Sequence, residues 1–319
     1  MIKIFKMSLA GLLFSVATIS SAGMITPNPT APSIAGTAHI LQDYDSGHIL
    51  MSENADERLP PASITKLMTS YVVSQEIHDG NIKLDDEVLI SEKAWRMIGS
   101  RSFIEVNTKV TVEALLRGMI VQSGNDAAVA LAEHVAGSEE VFAQMMNQYA
   151  QKLGMVNTNY QNATGLPGPE HYTTAHDIAI LSAALIRDFP EHYQWYAEKE
   201  YTYNGITQHN RNKLLWRDNT VDGLKTGHTE EAGYCLSASA KRDGMRLIAV
   251  VLGTASENAR AQEIQKMFNF GFRFFETHQL YAADEAITQT KVWKGQTDQL
   301  NLGLAQPLSI TVPRGRYKD

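Results

Sequence analysis

Cysteine is nearly absent from this 319-residue chain, which has only Cys235. A lone thiol cannot close an intramolecular disulfide, so stability must come from a core, and a chain of this length can bury a large one. Cys235 is expected to be a small buried hydrophobe, because no nearby His or Lys pattern would activate it. Cys/His ligand spacings and glycine-rich phosphate loops are missing as well, which argues against metal and nucleotide chemistry; no cofactor is expected. Basic clusters are also lacking and the formal net charge is −7, so nucleic acid is not an expected partner. No apolar run approaches the roughly 20 residues of a bilayer span. The run from Met7 to about Ile19 is shorter, follows Lys3 and Lys6, and precedes Ser20-Ser21-Ala22, whose small residues suit a signal-peptidase site. Residues 1–22 therefore read as the signal peptide of an exported protein.

What is present falls into three stretches. Residues 23–36, with Pro27, Pro29 and Pro32, read as an extended lead-in. A large domain is expected over 37–280. It opens with a β-hairpin, Ala38 to Tyr44 and His48 to Met51 around Asp45-Ser46-Gly47. It closes near a second hairpin, Tyr234 to Ala240 and Arg246 to Leu252 around Arg242-Asp243-Gly244. Between them apolar residues recur at helical spacing: Ile64, Leu67, Met68, Tyr71 and Val72, then Val112, Leu115, Leu116, Met119 and Ile120. Further helices are expected over 127–135, 139–153, 174–186 and 260–275. The fold class implied is α/β or α+β, an antiparallel sheet built from both chain ends and covered by a central helical insertion. Over 281–319 short alternating stretches, Ile287 to Trp293 and Leu308 to Val312, suggest the start of a small β-rich domain.

Three short motifs carry the chemistry. Ser63-Ile64-Thr65-Lys66 follows Pro60-Pro61-Ala62, which suggests a helix starting near Ser63 with Lys66 on the same face as the hydroxyl. A serine needs such a base to become a nucleophile. Alone the motif says little, since roughly one S-x-x-K is expected by chance in a chain this long. Ser123-Gly124-Asn125 lies between two expected helices, where a polar loop can turn back toward Ser63. Ser52-Glu53-Asn54 and Ser256-Glu257-Asn258 fit the same pattern, and a cap or turn explains each equally well. Lys225-Thr226-Gly227-His228 precedes the late hairpin. On an edge strand it offers a cation, a hydroxyl and a position without a side chain where an extended substrate can lie.

Taken in order, Ser63-x-x-Lys66, Ser123-x-Asn125 and Lys225-Thr226-Gly227 resemble the three motifs of penicillin-binding proteins and serine β-lactamases. The text around them is similar to the low-molecular-mass penicillin-binding proteins of the serine D-alanyl-D-alanine carboxypeptidase type. It matches at Pro61 to Thr69, Gln122 to Ala127, Val221 to Thr229 and Gly271 to Glu276, and the likeness runs from about Thr37 to Asp319.

The resemblance implies a periplasmic enzyme that removes the terminal D-alanine of a peptidoglycan stem peptide ending in D-Ala-D-Ala. It further implies covalent inhibition by β-lactams. Ser63 would be the nucleophile and Lys66 its base, kept neutral by partial desolvation and by Lys225. Ser123 would relay a proton, and Asn125 would hold the substrate amide or Lys66. The backbone N–H groups of Ser63 and His228 would form the oxyanion hole. Lys225, Thr226 and either Arg260 or Arg211 would receive the substrate carboxylate. Members commonly lie on the outer face of the inner membrane through a terminal amphipathic helix, which this sequence does not display. A β-lactamase using Glu170 for deacylation, a D,D-endopeptidase acting on cross-links, and a non-catalytic peptidoglycan-binding or β-lactam-sensing protein are the competing readings.

Overall fold

The structure, a computed structural model, describes residues 30–318; the expected leader at 1–22 and the first half of the lead-in, 23–29, lie outside them. β1 (Ala38–Asp43) and β2 (Ile49–Glu53) form the early hairpin. A 3-10 turn, Ala62–Thr65, runs straight into α1 (Lys66–His78). The short antiparallel pair β3 (Glu87–Leu89) and β4 (Lys109–Thr111) brackets the single turn α2 (Glu92–Trp95). Then come α3 (Val112–Val121), α4 (Asn125–Ala136), α5 (Glu139–Leu153), α6 (Ala175–Asp188) and α7 (Pro190–Tyr193). The hairpin β5 (Glu200–Tyr203) and β6 (Ile206–His209), followed by α8 (Leu214–Arg217), leads back to the sheet. β7 (Val221–Thr229), β8 (Gly233–Arg242), β9 (Met245–Thr254) and α9 (Glu257–Phe274) complete the main body.

Local chemistry explains where the helices start and stop. Thr111, Ser138, Thr174 and Ser256 each accept a hydrogen bond from the backbone N–H three residues on, satisfying an amide that the helix leaves unpaired. Ser256 in the competing Ser256-Glu257-Asn258 motif is thus a cap. Gly137 and Gly154 end α4 and α5 in the left-handed conformation that glycine adopts without strain.

The five-stranded antiparallel sheet has the order β2-β1-β9-β8-β7, which joins both ends of the body as the two hairpins imply. β9 reads as an unbroken apolar run because both faces are buried. Ile248, Val250 and Leu252 enter the core beneath α1, α3, α4, α5 and α6, whereas Leu247, Ala249 and Val251 pack against α9. Period-two alternation sends successive side chains to opposite layers. α1 is buried from Lys66 to Ser74, a central helix with no solvent face over that length. Cys235 is buried in β8, and burial pushes its thiol up to about 11, as expected of a core residue.

Beyond α9 the chain turns directly into β10 (Phe275–Tyr281), earlier than the alternation from 287 onward suggests, followed by β11 (Ala286–Lys291), β12 (Gln299–Gly303) and β13 (Leu308–Pro313). β10 pairs with β13 and β11 with β12. Thr277 donates to Asp43 Oδ2 at 2.7 Å, and Ser46 Oγ meets Thr311 Oγ1 at 2.6 Å, tying β10 and β13 to the β1–β2 turn.

Candidate active site

The turn that carries Ser63 differs from the helix start expected of it. Residues 62–65 form a 3-10 turn, in which side chains three apart eclipse each other, so Lys66 stands directly over Ser63. Lys66 Nζ lies 3.1 Å from Ser63 Oγ. It also donates to Asn125 Oδ1 at 2.7 Å and to the Thr164 carbonyl at 2.6 Å. The side chain is 1 % exposed, and burial pulls the amine down to about 7, with Asp126 opposing and Arg211 reinforcing the shift. Ala62, just before the serine, has φ +46°, a left-handed conformation that a non-glycine residue holds only when its surroundings demand it.

Two neighbours make that demand. Gly165, at φ +85°, packs so closely on the Ala62 carbonyl that a Cβ there would collide with it. A Cβ on Gly227 would meet Pro61 O at 3.0 Å, Ala62 Cβ at 3.2 Å and Ile64 Cγ1 at 3.2 Å. Gly227 is therefore bare so that β7 can approach the nucleophile turn, a packing reason distinct from the substrate-side reason that an edge strand suggests. His171 adds a further tie. Its Nδ1 accepts from Gln161 N at 3.0 Å, which leaves the hydrogen on Nε2 for Thr65 Oγ1 at 2.9 Å. Burial lowers this imidazole to about 4, so it is neutral at physiological pH.

A cleft of about 440 Å³ opens over Ser63. Ser123, Asn125, Thr226, Gly227, His228 and Arg260 all line it, together with Arg211 and Tyr234. Ser123 has φ +70° and a buried hydroxyl with no hydrogen-bond partner in the structure. Asn125 Oδ1 accepts from Lys66 and its Nδ2 donates to Ile98 O at 2.6 Å, so of its two expected tasks the geometry displays the second.

Comparison with known proteins agrees with this geometry. Residues 25–256 match the family model described as D-alanyl-D-alanine carboxypeptidase. The chain belongs to this family. Residues 275–319 match the C-terminal domain of penicillin-binding protein 5. The chain is 48% identical over 296 residues to the D-alanyl-D-alanine carboxypeptidase DacC of Escherichia coli K12, covering 91% of this chain and 74% of that relative. Its fold is similar to penicillin-binding protein 5 from Haemophilus influenzae, with TM-score 0.86 and 45% identity over 91% of this chain and 86% of that one. It is also similar to penicillin-binding protein D2 from Listeria monocytogenes in the ampicillin-bound form, with TM-score 0.71 and 30% identity over 76% of this chain and 100% of that one.

Within this carboxypeptidase fold the remaining expected residues take distinct positions. Lys225 is 2 % exposed and absent from the cleft lining; its Nζ donates to Thr226 O at 3.1 Å. Burial first, then Lys66, Arg211 and Arg260, hold it well below the usual lysine range. Arg260 is largely buried at the cleft wall, and its Nη1 donates to Gly227 O at 3.0 Å. Arg211 is more open and donates Nε to Gln122 O at 3.2 Å. The exposed His228 ring stacks on Tyr234 with centroids 3.9 Å apart. Glu170 is exposed and does not line the cleft, which weakens the β-lactamase reading that needs it. Thr164, Gly165, Asp126 and His171 had no motif to announce them. Gly165 and Gly168 flanking Pro167 signal a turn, yet nothing in the sequence reveals that the Thr164 carbonyl points at Lys66.

Proposed function

We propose that this protein is an exported serine-type D-alanyl-D-alanine carboxypeptidase of the bacterial periplasm that trims peptidoglycan stem peptides through an acyl-enzyme at Ser63. The observation that carries this reading is the buried Lys66 amine, held 3.1 Å from Ser63 Oγ with its proton affinity lowered to about 7. A lysine in that range is half neutral at physiological pH and can accept the serine proton.

Neutral Lys66 takes the hydroxyl proton as Oγ attacks the carbonyl of the penultimate D-alanine. The backbone N–H groups of Ser63 and His228 receive the oxyanion. Collapse expels the terminal D-alanine, whose nitrogen gains a proton through Ser123, the unpartnered hydroxyl on the cleft wall. Water then hydrolyses the ester. The terminal carboxylate rests against Thr226 with Arg211 and Arg260 nearby, the cationic side of the cleft. A β-lactam follows the same first step, but its leaving nitrogen stays tethered to the acyl group, so the adduct persists.

The test is intact-mass measurement after benzylpenicillin, with peptide mapping of the adduct, alongside D-alanine release from a stem pentapeptide. A persistent adduct on Ser63 and loss of both activities in Ser63→Ala are expected. Labelling that survives in Ser63→Ala overturns the nucleophile assignment, and rapid penicillin turnover without adduct overturns the carboxypeptidase reading.

A further inference from the structure

The stretch Gln122 to Ala127 contains a buried carboxylate that the reaction above leaves without a task, Asp126. Its carboxylate is 0 % exposed at the second position of α4. Oδ1 accepts from Ser102 N at 2.8 Å and Ala127 N at 2.9 Å, and Oδ2 accepts from Ile104 N at 3.4 Å. Arg101 Nε stands 3.9 Å from Oδ2. Asn125 ties down the same stretch, donating its N–H to Ser100 O at 2.7 Å and Nδ2 to Ile98 O at 2.6 Å. Residues 98–104 therefore form a strap clipped to the start of α4, and Gly99 and Ser100 within it wall the cleft. Gly124 shows how close the clip is, since a Cβ there would meet Asp126 Oδ1 at 2.8 Å and Ser102 N at 3.0 Å.

The charges around Lys66 come from several elements. Ser63 and Asn125 are its neutral partners on the 62–65 turn and α4, with Thr164 O from the segment between α5 and α6. Arg211 and the β7 residue Lys225 are cationic, and Asp126 is the one anion acting on it among the described residues. Tyr203, with Glu105 beside it, faces Asp126 from the β5–β6 hairpin. We propose that Asp126 is a positioning residue that fastens the 98–104 strap to α4 and at the same time supplies the buried counter-charge for Lys66. Without that charge, burial and the neighbouring cations act unopposed, and the amine becomes a weaker base that is less able to take a serine proton. One carboxylate thus links the wall of the cleft to the basicity of the catalytic amine. This inference rests on Lys66 being the base of the proposed reaction.

The experiment compares wild type, Asp126→Asn and Arg101→Gln. The Lys66 amine is titrated by carbon NMR of lysine-labelled, unliganded protein, benzylpenicillin acylation is followed across pH, and amide exchange is read in the strap. In Asp126→Asn the Lys66 titration and the acid limb of acylation both move to lower pH, by roughly half a unit or more as expected for loss of a nearby opposite charge. The plateau rate falls, and Ser102 and Ile104 amides exchange faster. Arg101 stands 3.9 Å from Asp126, so Arg101→Gln, which unmasks the carboxylate, shifts both measurements the other way. A Lys66 titration unmoved in Asp126→Asn, or moved in the same direction by both variants, overturns the proposal. If Asp126→Asn does not fold, Arg101→Gln decides alone: an upward shift supports the proposal and no shift overturns it. Wild-type protein that is not acylated at Ser63 would instead defeat the proposed function, whereas the Lys66 titration needs no substrate.

Discussion

Lys66 illustrates how burial lowers the proton affinity of an ordinary surface residue type. Its three acceptors, Ser63 Oγ, Asn125 Oδ1 and Thr164 O, match the three donors of an ammonium, yet burial pulls its proton affinity to about 7. The rate of acylation by penicillin should therefore rise with pH through about 7 as the amine loses its proton. An acylation rate flat from pH 5.5 to 8.5, measured by stopped-flow or quench labelling, would exclude Lys66 as base. The same shift bears on stability. The unfolded lysine keeps its ordinary value of 10.5, so between about 7 and 10.5 the unfolded chain binds more protons than the folded one. Lys66 therefore favours unfolding fully below about 7, and native stability rises with pH across that window. Lys66→Arg, whose guanidinium cannot release its proton, should fold yet lose at least about a hundredfold in acylation, the range that general-base catalysis contributes. Near-normal labelling of folded Lys66→Arg would refute the role.

Two elements press on the nucleophile turn, and each makes a distinct prediction. The segment that carries Gly165 supplies the Thr164 carbonyl to Lys66 and holds Ala62 in its strained conformation. Gly165→Ala adds a methyl group against the Ala62 carbonyl at a φ that alanine resists. It should cost roughly 2 kcal/mol or more of stability and slow acylation at least about tenfold, measured by denaturant unfolding and penicillin labelling. The second element is β7. Because Lys225 is buried and does not line the cleft while Arg211 does, the two side chains should separate in a double cycle of acid against C-terminally amidated peptide. Arg211→Ala is expected to lower kcat/KM roughly ten- to a hundredfold on the acid and little on the amide, the worth of one charge-assisted hydrogen bond. Lys225→Ala should lower both alike, because its amine bonds its own strand and acts on Lys66 through charge. A loss confined to the acid in Lys225→Ala would return the carboxylate to Lys225.

At the scale of the whole molecule, the C-terminal strands divide into two parts with different ties. β10 and β13 are pinned to the β1–β2 turn through Asp43–Thr277 and Ser46–Thr311. β11 and β12 are exposed at every residue, Leu300 and Leu302 included, and a two-stranded ribbon contributes little stability by itself. Tyr281 pairs with Leu308, so residues 282–307 can be replaced by a short turn that closes β10 onto β13. The shortened protein should fold and be acylated at a rate within about twofold of the parent, since no strand of the ribbon lines the cleft. A severalfold loss of acylation would show that the ribbon supports the active site.

Much of this architecture is legible in the residues because local rules act over short distances. Serine and threonine caps, glycine stops and apolar periodicity place α3 to α6 and α9 within a few residues, and alternation with turn residues identifies both hairpins of the sheet. The order of Ser63, Lys66, Ser123, Asn125, Lys225, Thr226 and Gly227 likewise suffices to name the chemistry. Tertiary structure decided what depends on groups distant in the chain: that the first turn is 3-10, that a backbone carbonyl at Thr164 completes the cage around Lys66, that Gly227 is bare to admit the turn at Ser63, and that Lys225 is buried. Backbone carbonyls and close approaches carry no residue identity, so they leave no pattern to read. The proton affinity of an amine depends on burial and on charges such as Asp126 and Arg211, which only folding brings within range of Lys66.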